Sequence, residues 1–127
     1  MPDRVQTPLG EMWMTDEGVL VHRIEHGLSI TMEDAAAVQA AVLELTDGRP
    51  APAVVDMRAV GYAERAARQM FGASTQETSE SATALIVGSS ASQTMAKAFL
   101  ATEPKRPIEI FTSEIEAMEW ARSHITG

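Results

Sequence analysis

The sequence has 127 residues, 45% of them hydrophobic and 22% charged, with no cysteine and a formal net charge of −8. This fits one folded domain of roughly 100–150 residues with its own core, and it excludes a disulfide framework, thiolate zinc sites and a thiol nucleophile. Acids outnumber bases ten to three over residues 1–57 and eight to seven over residues 58–127, so neither half offers the basic footprint of a nucleic-acid or anionic-membrane binder.

Met1 to Gly10 lacks a basic start followed by an apolar run, and no stretch approaches the ~18 apolar residues of a membrane span. Neither a signal peptide nor stable membrane insertion is expected, and the cysteine-free composition suits a cytoplasmic location. The first strand reads as Glu11-Met12-Trp13-Met14. Asp16-Glu17-Gly18 is a turn, because Gly18 tolerates positive φ and Asp16 can bond back to nearby backbone. Val19 to Glu25 is a second strand whose two faces begin apolar and become polar, so it is expected to run out of the core, and the two strands form a hairpin.

Thr31 opens a helix. Thr31-Met32-Glu33-Asp34 has the pattern of a capping box, and Ala35, Val38, Val42 and Leu45 share one face. Asp47-Gly48 stops it, and Pro50 and Pro52 prevent a restart. Strand–helix alternation follows. Ala53 to Met57 is a continuous apolar strand of the kind buried on both faces, and a helix begins near Tyr62 with Ala63, Ala66, Ala67, Met70 and Phe71 inward. Ala84-Leu85-Ile86-Val87 is the next buried strand; after the turn Gly88-Ser89-Ser90, a helix around Thr94 to Leu100 presents Met95 and Phe99. Pro104 and Pro107 bracket a loop, Ile108 to Thr112 is the last strand, and Ser113 caps a final helix with Ile115, Met118, Ala121 and Ile125 toward the sheet. The expectation is a single α/β domain over residues 1–127, with a mixed, mostly parallel sheet of four or five strands, an N-terminal hairpin and about four helices.

Gly18-Val19-Leu20-Val21, Leu28 to Ala35, Val54-Val55-Asp56-Met57-Arg58-Ala59-Val60, Ala67 to Phe71 and Phe111 to Trp120 together resemble uncharacterised bacterial STAS-like (SpoIIAA-like) proteins, over roughly residues 18–125. The resemblance implies an αβ domain and no settled activity. In the better-known relatives, the anti-sigma-factor antagonists, a Ser or Thr at the start of the helix after the central strand accepts a phosphate. Here Asp56 to Val60 keeps the preceding part of that pattern, but Gly61 to Arg68 holds no hydroxyl group except that of Tyr62. No serine/threonine phosphoswitch is expected at this helix.

His22-Arg23-Ile24-Glu25-His26 matches the H-x-x-E-H letters of an inverted zinc-protease signature. In a strand, residues four apart stand roughly 13 Å from each other, too far to share one Zn²⁺, so no metal is expected. There is no Ser-His-Asp order, no G-x-S-x-G elbow and no P-loop ending, so no catalytic residue and no cofactor are assigned, and the chain reads as a non-enzyme.

Two binding surfaces are candidates. The first is self-association: Trp13 between Met12 and Met14 puts apolar groups on both faces of the first strand, and a homodimer would cover the outer one. The second is the carboxyl edge of the sheet, where α/β proteins bind ligands. Arg58, Tyr62, Arg65 and Arg68 on one segment and Ser89 and Ser90 on another are its candidate residues, two helix N-termini also pointing there. The eight methionines and few aromatic residues suit an adaptable core or groove. The functional expectation is a non-catalytic regulatory or interaction module with an unknown protein partner, or a carrier or sensor of a small apolar or anionic ligand.

Overall fold

The computed structural model describes residues 4–72 and 79–125. Six strands, β1 (Arg4–Gln6), β2 (Gly10–Met14), β3 (Leu20–Ile24), β4 (Ala51–Asp56), β5 (Glu80–Ile86) and β6 (Ile108–Phe111), form one sheet in sequential order. The helices are α1 (Met32–Thr46), α2 (Arg65–Phe71), α3 (Ser90–Leu100) and α4 (Glu114–Arg122). β1 and β2 and then β2 and β3 pair antiparallel; β3 to β6 are parallel. The mostly parallel α/β sheet is as the sequence implies, but it has six strands rather than four or five. The additional one is the three-residue β1, too short to carry a periodic signal.

The order of the strands decides where the helices lie. Each β-α-β crossover is right-handed by strong preference. Three such crossovers advancing in one direction put their helices on one face. Accordingly, α1, α2 and α3 pack with Met12, Leu20, Ala53 and Leu85 in one core cluster. Only α4 lies on the other face, where Ala117 and Ala121 meet Val19, Val21, Val54, Ala84 and Ile86. β4 and β5 are covered on both sides, which is why their apolar runs do not alternate. Pro52 sits inside β4 rather than ahead of it, at a register irregularity between Ala51 and Pro52 where a missing N–H is tolerated.

The α1 cap forms as its letters imply: Thr31 accepts from the Asp34 N–H and the Asp34 carboxylate from the Thr31 N–H. Thr31→Ala is expected to lower stability by about 1 kcal/mol in urea denaturation; an unchanged midpoint would mean that water replaces the cap without loss. Other positions depart from the periodicity. α2 begins at Arg65, three residues late, with Ala66 exposed. Ala63 is buried instead in a bridge to Ile30. On α4, Ala117 rather than Ile115 faces inward, and Ile115 and Ile125 are exposed. β3 does not run out of the core: His22 and Ile24 are both buried.

Candidate functional site

Among the expected ligand residues, Arg58 lies on the α4 face. Its guanidinium donates to Asp56 through Nε (2.8 Å to Oδ1) and Nη2 (2.6 Å to Oδ2), and its backbone N–H also reaches Oδ1. Arg23 and Glu114 complete this group, with Arg23 at 3.9 Å from Asp56 and 3.7 Å from Glu114. Burial raises the Asp56 pKa, but the Arg58 hydrogen bonds and charge, with Arg23, outweigh it and hold the carboxyl below its ordinary value. A depressed folded pKa contributes stability that is complete above the unfolded value near 3.9 and lost as pH falls through the folded one. Arg58→Ala should therefore cost about 1–2 kcal/mol near pH 7, discounted for a half-exposed arginine. The difference from the native protein should shrink below pH ~4 in denaturant titrations. A cost independent of pH would assign it to packing instead.

The Gly88-Ser89-Ser90 turn holds no free anion cradle at its first two amides. Both Gly88 N–H and Ser89 N–H donate to Ser92 Oγ, and Ser89 Oγ accepts from Ser92 N–H. Ser89 is the N-cap of α3, with Ser92 closing the box, and Ser90 is exposed on its first turn. Tyr62 is half exposed and Arg65 exposed on the outer rim. The strand order never reverses, so this edge lacks the switch-point crevice from which it draws its appeal as a binding site.

Arg68 lies elsewhere. It lines a cavity of about 80 Å³ between the sheet and α1–α3. Leu20, Ile24, Val55 and Leu85 contribute from the strands, and Val38, Val42, Met95 and Phe99 from the helices. Protein interiors hold few voids larger than a water, and one water needs only ~10–15 Å³ of this kind of volume. Ala53 and Ala63 face the space with single methyl groups. Met12, Met57 and Met95 are also among its walls, which accords with a methionine-rich, adaptable surface.

A few polar side chains interrupt this apolar lining. Arg106 is buried, Nε donating to Thr83 Oγ1 at 2.8 Å and Nη2 to the Phe71 carbonyl at 2.7 Å and to Glu80 at 3.4 Å. Arg68 Nη1 donates to the Ala63 carbonyl at 2.6 Å, while its Nε is buried without an acceptor. His22 also lines the space; burial lowers its pKa to about 4, so the ring is neutral. Neither Arg106 nor Glu80 carries a sequence signal of a site residue, since one sits in a proline-bracketed loop and the other at a strand start. His22 and His26 do not form a metal site: His22 is buried on β3 and His26 is exposed beyond its end. Among the described residues no group of three His, Asp or Glu could hold a metal ion.

On the opposite face, a crevice of about 160 Å³ passes Trp13, Arg23, Asp56, Glu114 and Met118, but its charged groups are spent on one another. Met12 is buried in the core and Met14 packs against it. The Arg4 and Arg23 guanidinium groups lie 4.6 and 5.4 Å from the centre of the Trp13 ring, which also packs against the α4-face core, so part of the cover expected from a second copy is supplied by the chain itself.

A family model described as "Domain of unknown function (DUF7793)" matches residues 12–125. The crystal structure of an uncharacterized protein from the DUF3478 family with a SpoIIAA-like fold, from Shewanella loihica PV-4, is similar with a TM-score of 0.62. The similarity covers 95% of this chain and 98% of that one at 14% identity, which makes it a likeness of fold. No curated protein matches the sequence. Among the described residues, no helix is long and apolar enough to cross a membrane.

Proposed function

We propose that this chain, which belongs to the DUF7793 family, is a non-enzymatic binding module that holds a small, largely apolar ligand between its sheet and α1–α3. The observation behind this reading is the largely apolar cavity with a few polar side chains in its lining. Such sites are commonly apolar pockets in which a few polar groups orient the ligand. A ligand that binds only the folded state raises its stability, by about 1.4 kcal/mol at ten times Kd. Thermal denaturation with hexane, benzene and hexanol should therefore show an upward shift of several degrees. Filling the cavity by Ala53→Val or Ala63→Leu should raise the melting temperature without probe and remove the response to it. Failure of every probe to shift the native protein would sink the reading.

A second reading, an interaction module for a protein partner, is supported by Leu28, Tyr62 and Met32. They are 83, 50 and 50% exposed on the adjoining segments around the Gly27–Val60 and Ile30–Ala63 bridges. Exposed apolar groups gathered in one place suit a protein surface. Sedimentation of the native protein and of Leu28→Ser separates a self-associating patch from one kept for another partner. A concentration-dependent mass abolished by the substitution supports the former; a monomer in both cases assigns the patch away from self-association.

A further inference from the structure

We propose that the ligand is a small apolar monocarboxylic acid, with its hydrocarbon part in the cavity and its carboxylate on Arg68; this rests on the cavity being a ligand site. Two arginines line the space, and their hydrogen bonding distinguishes them. Arg106 is engaged by Thr83, Glu80 and the Phe71 carbonyl. Arg68 has one bond, from Nη1 to the Ala63 carbonyl, and no acid within ion-pair distance among the described residues. Its Nε is the one buried side-chain nitrogen or oxygen among them left without an acceptor. Leaving a charged donor dry and unmet is unfavourable, and a guanidinium presents Nε–H and an adjacent Nη–H as a fork matched to two carboxylate oxygens.

The charge sign and number follow from the same residues. An amine at Arg68 would meet a guanidinium, and the one carboxylate lining the space is already held by Arg106 and Thr83. A dianion would bring more charge than the single arginine without an acid partner can balance in an apolar enclosure. Walls such as Leu20, Val38, Leu85 and Phe99 offer only apolar contact, which suits a short aliphatic tail.

Hexanoate, hexanol and hexylamine, with butanoate and octanoate for length, separate the two levels of the reading when titrated by calorimetry into the native protein, Arg68→Met and Arg68→Lys. Hexanoate should bind the native protein about tenfold or more tightly than hexanol. Arg68→Met should bring hexanoate and hexanol binding to within about twofold of each other, and Arg68→Lys should restore part of the preference. In the native protein, the Arg68 Nε–H NMR signal should move with hexanoate and stay in place with hexanol, a readout that does not depend on any variant folding. Equal binding of acid and alcohol, or a preference that survives in Arg68→Met, overturns the carboxylate assignment while the cavity site stands. Absence of binding by every compound overturns both.

Discussion

An Arg106→Ala protein is expected to lose about 3–5 kcal/mol of stability, the cost of removing one partner from a buried ion pair. The Arg106 side chain is 2% exposed and that of Glu80 is 11% exposed. Thr83 Oγ1 accepts from Arg106 Nε and donates to Glu80 Oε1 at 2.7 Å, so the three residues form one hydrogen-bonded unit. Arg106 also ties the loop before β6 to the end of α2 through the Phe71 carbonyl. Truncation leaves the Glu80 carboxylate in a site that excludes solvent, and much of the penalty is that uncompensated charge rather than the lost bonds. Urea denaturation should show a lower midpoint at unchanged slope. Adding Glu80→Gln to Arg106→Ala should recover about 1–2 kcal/mol, because a buried amide costs less than a buried charge. A loss under about 1 kcal/mol for Arg106→Ala, typical of exposed pairs, would show that water reaches this network and would refute its role.

The second large effect is a dependence of stability on pH through His22. The residue is 4% exposed and its ring bonds to Thr7 Oγ1 at 3.2 Å. Burial lowers its pKa from 6.5 to about 4. Between those values the unfolded chain takes up a proton and the folded chain does not, so stability is full above pH ~6.5, falls toward pH 4 and levels off below it. The integrated loss is on the order of 3 kcal/mol. His22→Met keeps an apolar wall and removes the proton site. The native protein should lose that amount relative to His22→Met from pH 6.5 to 4, a comparison that cancels the carboxylates common to both. A difference independent of pH, or an imidazole that titrates near 6.5 by NMR, would rule it out.

Read alone, the sequence determined the layers and most of the elements. The apolar runs of β4 and β5, the capping box at Thr31 and the helix stop at Asp47-Gly48 are local or periodic properties, each set by a few neighbouring residues. The SpoIIAA-like arrangement was legible only as a resemblance, carried by segments such as Val54 to Val60 and Phe111 to Trp120. The six ligand candidates were grouped by a shared sheet edge, and tertiary structure parted them. Asp56, pointing to the α4 face, draws Arg58 there; Ser92 occupies the amides of Gly88 and Ser89; Arg68 alone meets the cavity. That cavity was not legible, because empty space is a sum over side chains from every strand and helix around it, and no alanine in the sequence announces whether its neighbours fill the gap it leaves. Arg106 and Glu80 likewise lie 26 residues apart in sequence. Their burial depends on β5, β6 and α2 converging, and only the packed fold decides whether a loop arginine meets water or a buried carboxylate.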